Sequence, residues 1–162
     1  MTQEIAGSMM LALMVLSLGL ALWGWRSRVT RYRGDADALI RDVPSSVPVH
    51  EIRALYVATT EAGEPLQRIA AGPLSFRAKA RLAVHPEGLV VRIPGEHPVL
   101  LPSEGLEAGR ATWTIDRVVE ADGLVMVRWL LAGRHVDSYF RVVDGDSGIL
   151  IDALELVGKG TK

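Results

Sequence analysis

The chain contains no cysteine. That excludes disulfides, cysteine-ligated zinc, iron–sulfur clusters and thiol nucleophiles together, and it is compatible with a reducing compartment. Surplus charge is lacking as well. Eighteen Lys and Arg stand against 19 Asp and Glu, a formal net charge of −1, so no global field draws in nucleic acid or an acidic substrate. Aromatic residues make up 6% of the chain, too few for the exposed, cation-interleaved rings on which bases stack. Trp113 and Trp129 instead read as core, with Tyr139 and Phe140 in a strand.

A Gly-rich phosphate loop is absent. The four histidines, His50, His85, His97 and His135, form no i, i+4 or His-x-His pair, so no local metal site is encoded and exposed loop positions are expected for them. Asp116 and Glu120 have no spacing that implies acid–base work. With no nucleophile, base or metal set to assemble, the expectation is a protein that is not an enzyme and carries no cofactor.

Basic residues are also absent before Arg26, and Glu4 is the one charged side chain in that stretch. What stands there is a run from Ile5 to Trp25, "IAGSMMLALMVLSLGLALWGW", 21 residues without a charge. As a helix it spans about 30 Å, the thickness of a hydrocarbon core. Arg26, Arg28, Arg31 and Arg33 follow at once, with Trp23, Trp25 and Tyr32 at the boundary where amphipathic rings prefer the headgroup layer. A secretory signal would carry its positive charge before the run and a small-residue cleavage site after it; here "MTQE" precedes and bulky basic residues follow. The pattern predicts a single transmembrane anchor over 1–25 in the cell (inner) membrane, N-terminus out and C-terminal domain cytoplasmic. A lone span encloses no transport path, so any transporter role would need partners.

Residues 26–49 read as a basic juxtamembrane segment and linker, with a short helix around Asp35 to Arg41 and breaks at Pro44, Ser45, Ser46 and Pro48. From His50 to Lys162 short β-rich segments alternate with Gly, Pro and Asp turns. They are "IRALYVATT" (52–60), "LSFRAKARLAV" (74–84), "LVVRI" (89–93), "VLLP" (99–102), "RATWTIDRVV" (110–119), "LVMVRWLLAG" (124–133) and "RHVDSYFRVV" (134–143). This spacing predicts an antiparallel barrel or sandwich. "HPEG" at 85–88 is a tight turn between two of the segments. The last stretch changes period: Leu150, Ala153, Leu154 and Val157 fall at i, i+3, i+4 and i+7, with Asp146 or Ser147 as N-cap and Gly158 as stop. The fold class expected is mainly β: an N-terminal transmembrane helix, then a PH-like small antiparallel β-barrel closed by a C-terminal α-helix.

"YVATTEAGEPLQRI", "ATWTIDRVVEADGLVMVRW" and "VDSYFRV" resemble a family of actinobacterial single-pass membrane proteins with a PH-like cytoplasmic domain, often loosely labelled transporters. The resemblance covers anchor, linker, barrel and closing helix. It implies a fold and a topology, and it assigns no catalytic or ligand-binding residue.

"GDSG" at 145–148 resembles the nucleophile loop of trypsin-like proteases. That chemistry needs a His base, a buried Asp and two barrels, whereas Asp and Ser here sit where a helix is capped. Asp144, Asp146 and Gly148 match a calcium loop in part; Glu155 is twelfth from Asp144, but the glycine stands fifth rather than sixth. Within "SFRAKARL" (75–82) Arg77, Lys79 and Arg81 share one parity, and Phe76, Ala78, Ala80 and Leu82 the other. With Arg68 nearby, the cations are a candidate anionic contact surface; acidic neighbours on adjacent strands would make them a solvated sheet face instead. The functional expectation is a membrane-anchored PH-like interaction module that recruits a cytoplasmic or membrane protein partner through an open sheet edge. The alternatives are an anionic-lipid-binding module using the basic strand face and an auxiliary transporter subunit.

Overall fold

The computed structural model describes residues 2–31, 39, 42–111, 113–114, 117–118 and 123–160. Leu39 apart, the short helix expected around Asp35 to Arg41 lies outside the described residues, as do Tyr32, Arg33, Asp116 and Glu120 and the side chains of Arg28, Arg31 and Trp113. Two compact units are present, Met1–Gly34 and Asp35–Lys162.

The first unit is helix α1 (Thr2–Arg31). No proline interrupts it, and Leu, Ala and Met predominate, residues that lose little freedom in a helix. Ser17 Oγ donates to the Met14 carbonyl at 2.9 Å, so this hydroxyl is satisfied within the helix. Apolar side chains stand exposed all round it, from Met9 to Trp25, a surface suited to an apolar solvent. Gly7–Ser27 is long and apolar enough to cross a bilayer.

The second unit is antiparallel β with one helix. Its strands are β1 (His50–Glu61), β2 (Glu64–Arg68), β3 (Ala78–His85), β4 (Gly88–Arg92), β5 (Val99–Pro102), β6 (Glu107–Ala111), β7 (Trp113–Thr114), β8 (Arg117–Val118), β9 (Leu124–Leu131) and β10 (Arg134–Asp144); α2 (Ser147–Lys159) follows. The main sheet runs β5-β4-β3-β1-β10-β9-β6, with β2 branching from β1. Its hydrogen-bonded path is therefore open rather than a closed ring. The chain joins the two edge strands directly, since β5 ends at Pro102 and β6 starts at Glu107, with Leu106 N–H donating to Ser103 O at 3.1 Å between them.

Alternation explains which face is buried. Ile52, Ala54 and Tyr56 of β1, Ala80 and Leu82 of β3, and Phe140 of β10 point inward. Tyr56 and Phe140 are register partners whose rings meet at 5.8 Å. A polar chain threads this core: Trp129 Nε1 donates to Ser138 Oγ at 2.9 Å, and Ser138 Oγ lies 2.7 Å from Thr59 Oγ1. Thr59 Oγ1 is in turn 3.0 Å from the Tyr56 hydroxyl, which donates to Leu74 O at 2.9 Å. Each of these buried polar groups thus has a partner. Leu150 and Leu154 of α2 are fully buried, with Ile151 beside them. The helix packs against β6 and β4 and touches β1, β3 and β9.

The structure corrects three local expectations. The segment 74–84 is not one strand: Gly72–Leu74 forms a 3-10 turn with proline at its start, and β3 begins only at Ala78. Phe76, expected on the apolar face, is consequently 80% exposed. Residues 110–119 are not one strand either, because β6 ends at Ala111 and β7 pairs with β8 as a separate two-stranded sheet. Gly158 does not stop the final helix. It lies inside α2, where a Cβ would stand 2.3 Å from the Leu106 carbonyl oxygen, so glycine is there for close approach to the chain entering β6.

Candidate functional site

Two rows of charge cross the sheet, and they differ in kind. In the first, Glu107 of β6 is the register partner of Arg128 in β9, and Arg128 that of Asp137 in β10. Signs alternate along this row. Arg128 grips Asp137 with both arms, Nε to Oδ1 at 2.8 Å and Nη2 to Oδ2 at 3.0 Å, over a carboxylate only 5% exposed. The hydrogen bond to Asp137 holds the Arg128 pKa above its ordinary value against the opposing effect of burial. This row neutralises itself, and its place is structural.

The second row does not. Arg53 of β1 pairs in register with Arg81 of β3, and Arg81 with Arg92 of β4. Cross-strand neighbours stand about 5 Å apart, and like charges set directly opposite destabilise a sheet. Lys79 lies two residues from Arg81 on the same parity, opposite Leu55. Arg53 meets Asp144 in an ion pair, and Arg81 has Glu51 at 4.0 Å, both solvent-facing contacts that contribute little. Neither Lys79 nor Arg92 makes an ion pair among the described residues.

The four cations line one groove of about 840 Å³, against two acids among the described residues, Glu96 and Asp144. The rest of the lining is apolar. Between β4 and β5 the turn carrying Ile93, Pro94 and Pro98 forms one wall, closed by Glu96 N–H on Ile93 O at 3.1 Å. On the other side the register of β10 against β1 shifts between Arg53 and Ala54. Arg53 pairs with Asp144 and Ala54 with Val142, which leaves Val143 as the extra residue of a bulge. A bulge re-aims side chains, and here Val143 and Asp144 both line the groove.

Of the cations expected from the sequence, the structure brings Lys79 and Arg81 into the groove and leaves two outside its lining. Arg77 precedes β3 and is exposed. Arg68 is half-buried and donates from Nη2 to Ser75 O at 3.2 Å. Arg26 is exposed on α1. Arg53 and Arg92 were not singled out by sequence reasoning. A signal for Arg92 existed: the turn at Pro86–Glu87 pairs His85 with Gly88, and counting back sets Arg81 opposite Arg92. Arg53 had none, because 21 residues, the 3-10 turn among them, separate β1's pairing segment from β3.

Other sequence candidates resolve differently. His85 is not an exposed loop residue: it ends β3, is 2% exposed, and has Nδ1 3.0 Å from Ser46 Oγ. The turn proper is Pro86–Glu87, which leaves His85 in the ladder. Ser46 also donates to Glu87 Oε2 at 2.7 Å, and that bond lowers the Glu87 pKa. In "GDSG", Asp146 is the N-cap of α2, with Oδ1 accepting from Gly148 N–H at 2.7 Å. No group of three or more His, Asp or Glu gathers as a metal site among the described residues. Trp129 and Phe140 are buried in the core, away from any surface where bases would stack.

No curated protein matches the chain. A family model described as Bacterial PH domain-like matches residues 39–150, most of the second unit including the whole of the cationic groove. The mainly antiparallel sheet followed by a C-terminal helix is the PH-like arrangement, a fold of interaction modules for proteins and lipids. By this match the chain belongs to the Bacterial PH domain-like family.

Proposed function

We propose that the protein is a membrane-anchored interaction module whose PH-like domain binds anionic lipid headgroups on the Arg53–Arg81–Arg92 face. The observation that carries this reading is the row itself, which its acidic neighbours neutralise only in part. Three arginines in direct cross-strand register oppose folding, while the same sheet a few strands away neutralises its arginine with Glu107 and Asp137. A ligand anion removes the repulsion. Helix α1, long and apolar enough to cross a bilayer, supports the anchor, and the basic residues from Arg26 onward favour the side of the anionic leaflet for the domain. The sheet edges favour recruitment of a protein by strand addition less, since β5 has four residues and ends in Pro102 and β6 lies against α2.

The test uses the full chain in phosphatidylcholine nanodiscs on a sensor, with vesicles of phosphatidylcholine alone or with phosphatidylserine passed over it. Binding is expected to the anionic vesicles only and to weaken with salt. Replacing Arg53, Arg81 and Arg92 together by Gln removes about 3 kcal/mol, an affinity loss of about 100-fold. The single change Arg92→Glu sets opposite charges across β3 and β4, so it should leave stability unchanged or raise it by about 0.2–1 kcal/mol while weakening binding. Loss of fold with Arg92→Glu, or vesicle binding indifferent to the arginines, would overturn the reading.

A further inference from the structure

We infer that the groove holds one anionic amphiphile, its charged head on the arginine row and its acyl chain in the apolar trough beside it. This rests on the headgroup reading above and goes further: the site captures a single lipid molecule rather than touching a surface of them. A headgroup contact requires cations and nothing more. Here the cations form one side of a preformed cleft, and about 840 Å³ falls within the range of ligand sites, about 300–1,000 Å³.

The apolar side rejects the other anions of similar charge. Pro94 and Pro98 have no N–H to offer, and Leu55, Ile93 and Val143 bring only hydrocarbon. Inorganic phosphate or a sugar phosphate would leave that wall wet. An acidic peptide would set many of its own N–H and C=O groups against the hydrocarbon of that wall, at a cost for each left without a partner. An acyl chain needs no partner there and dries the wall. Val143 is the clearest sign: it is 64% exposed, and the bulge turns it toward the groove rather than the core. The occupant is at hand, because the same chain carries a helix suited to a bilayer.

The experiment uses the full chain in phosphatidylcholine nanodiscs doped with a phosphatidylglycerol whose acyl chain carries a diazirine near its end. After irradiation, labelled positions are mapped by mass spectrometry. Label is expected on the groove segments 53–55, 93–98 and 142–144, and not when the same diazirine chain is carried by phosphatidylcholine. Val143→Trp, which fills the trough, and Val143→Asn, which wets it, should each lower groove labelling at least about tenfold, near 1.4 kcal/mol. Both act at an exposed position and leave the cations in place, so the vesicle binding that remains should still depend on charge. Label confined to residues 7–27, with vesicle binding still dependent on the arginines, overturns this inference and leaves the headgroup reading standing. Full displacement of the probe by glycerol 3-phosphate also overturns it, since the head alone would then carry the affinity. Labelling and vesicle binding both indifferent to the arginines overturn the two readings together.

Discussion

Tyr56 shows at the level of one side chain how the domain prices its buried polar groups. Burial pushes its phenol up to about 12, against smaller opposing effects from Thr59 and Arg68. The native state therefore keeps a proton that the unfolded chain releases near pH 10. Stability from this group is complete below pH 10 and falls as pH rises through about 12, by about 2–3 kcal/mol in all. Burial raises Tyr139 in the same direction. Denaturation of the full chain in mild detergent, followed by near-ultraviolet circular dichroism from pH 9 upward, should show this decline, and Tyr56→Phe should flatten it. A slope unaltered by Tyr56→Phe would refute the assignment. Arg128 gives the complementary case. Arg128→Ala strands the nearly buried carboxylate of Asp137, and the expected loss in the same denaturation experiment is about 2–3 kcal/mol.

Among the elements, α2 makes a prediction whose sign is opposite to propensity. Glycine inside a helix is worse than alanine by about 0.5–1 kcal/mol, so propensity alone has Gly158→Ala stabilising. The Leu106 carbonyl, 2.3 Å from the missing Cβ, requires the reverse. Thermal melting should place Gly158→Ala below the unaltered protein, and a higher melting point would mean that α2 shifts freely away from β6. The glycine illustrates where the sequence stops being legible. The stripe of Leu150 and Leu154 and the cap at Asp146 are local, and periodicity and chemistry reveal them. That Gly158 meets Leu106 depends on contact between segments 52 residues apart in the chain, which no local pattern encodes, so a packing glycine read as a stop. The groove divides along the same line. Lys79 and Arg81 announce themselves by alternation, Arg92 follows from its hairpin turn, and Arg53 and Val143 depend on long-range pairing of β1. His85 was misplaced for a local reason, since a turn motif marks where the chain reverses and not which flanking residue stays in the ladder.

For the whole molecule the central quantity is orientation. The arginine cluster after the apolar run predicts that the C-terminus faces the cytoplasm; a reporter fused after Lys162 should be active there, and activity confined to the opposite side would remove the anionic leaflet from the domain's reach. The Pro86–Glu87 hairpin carries a consequence for comparing this chain with its relatives. Arg81 and Arg92 are mirror images about that turn, each four residues from the ends of the His85–Gly88 pair. What sets the pair is thus reflection about the turn and not two independent positions. In a relative, one residue inserted in the turn that slips this register by one would turn one of the two cations to the other face of the sheet, away from the groove. Column-by-column alignment would score such a relative as keeping both residues, although the row is broken.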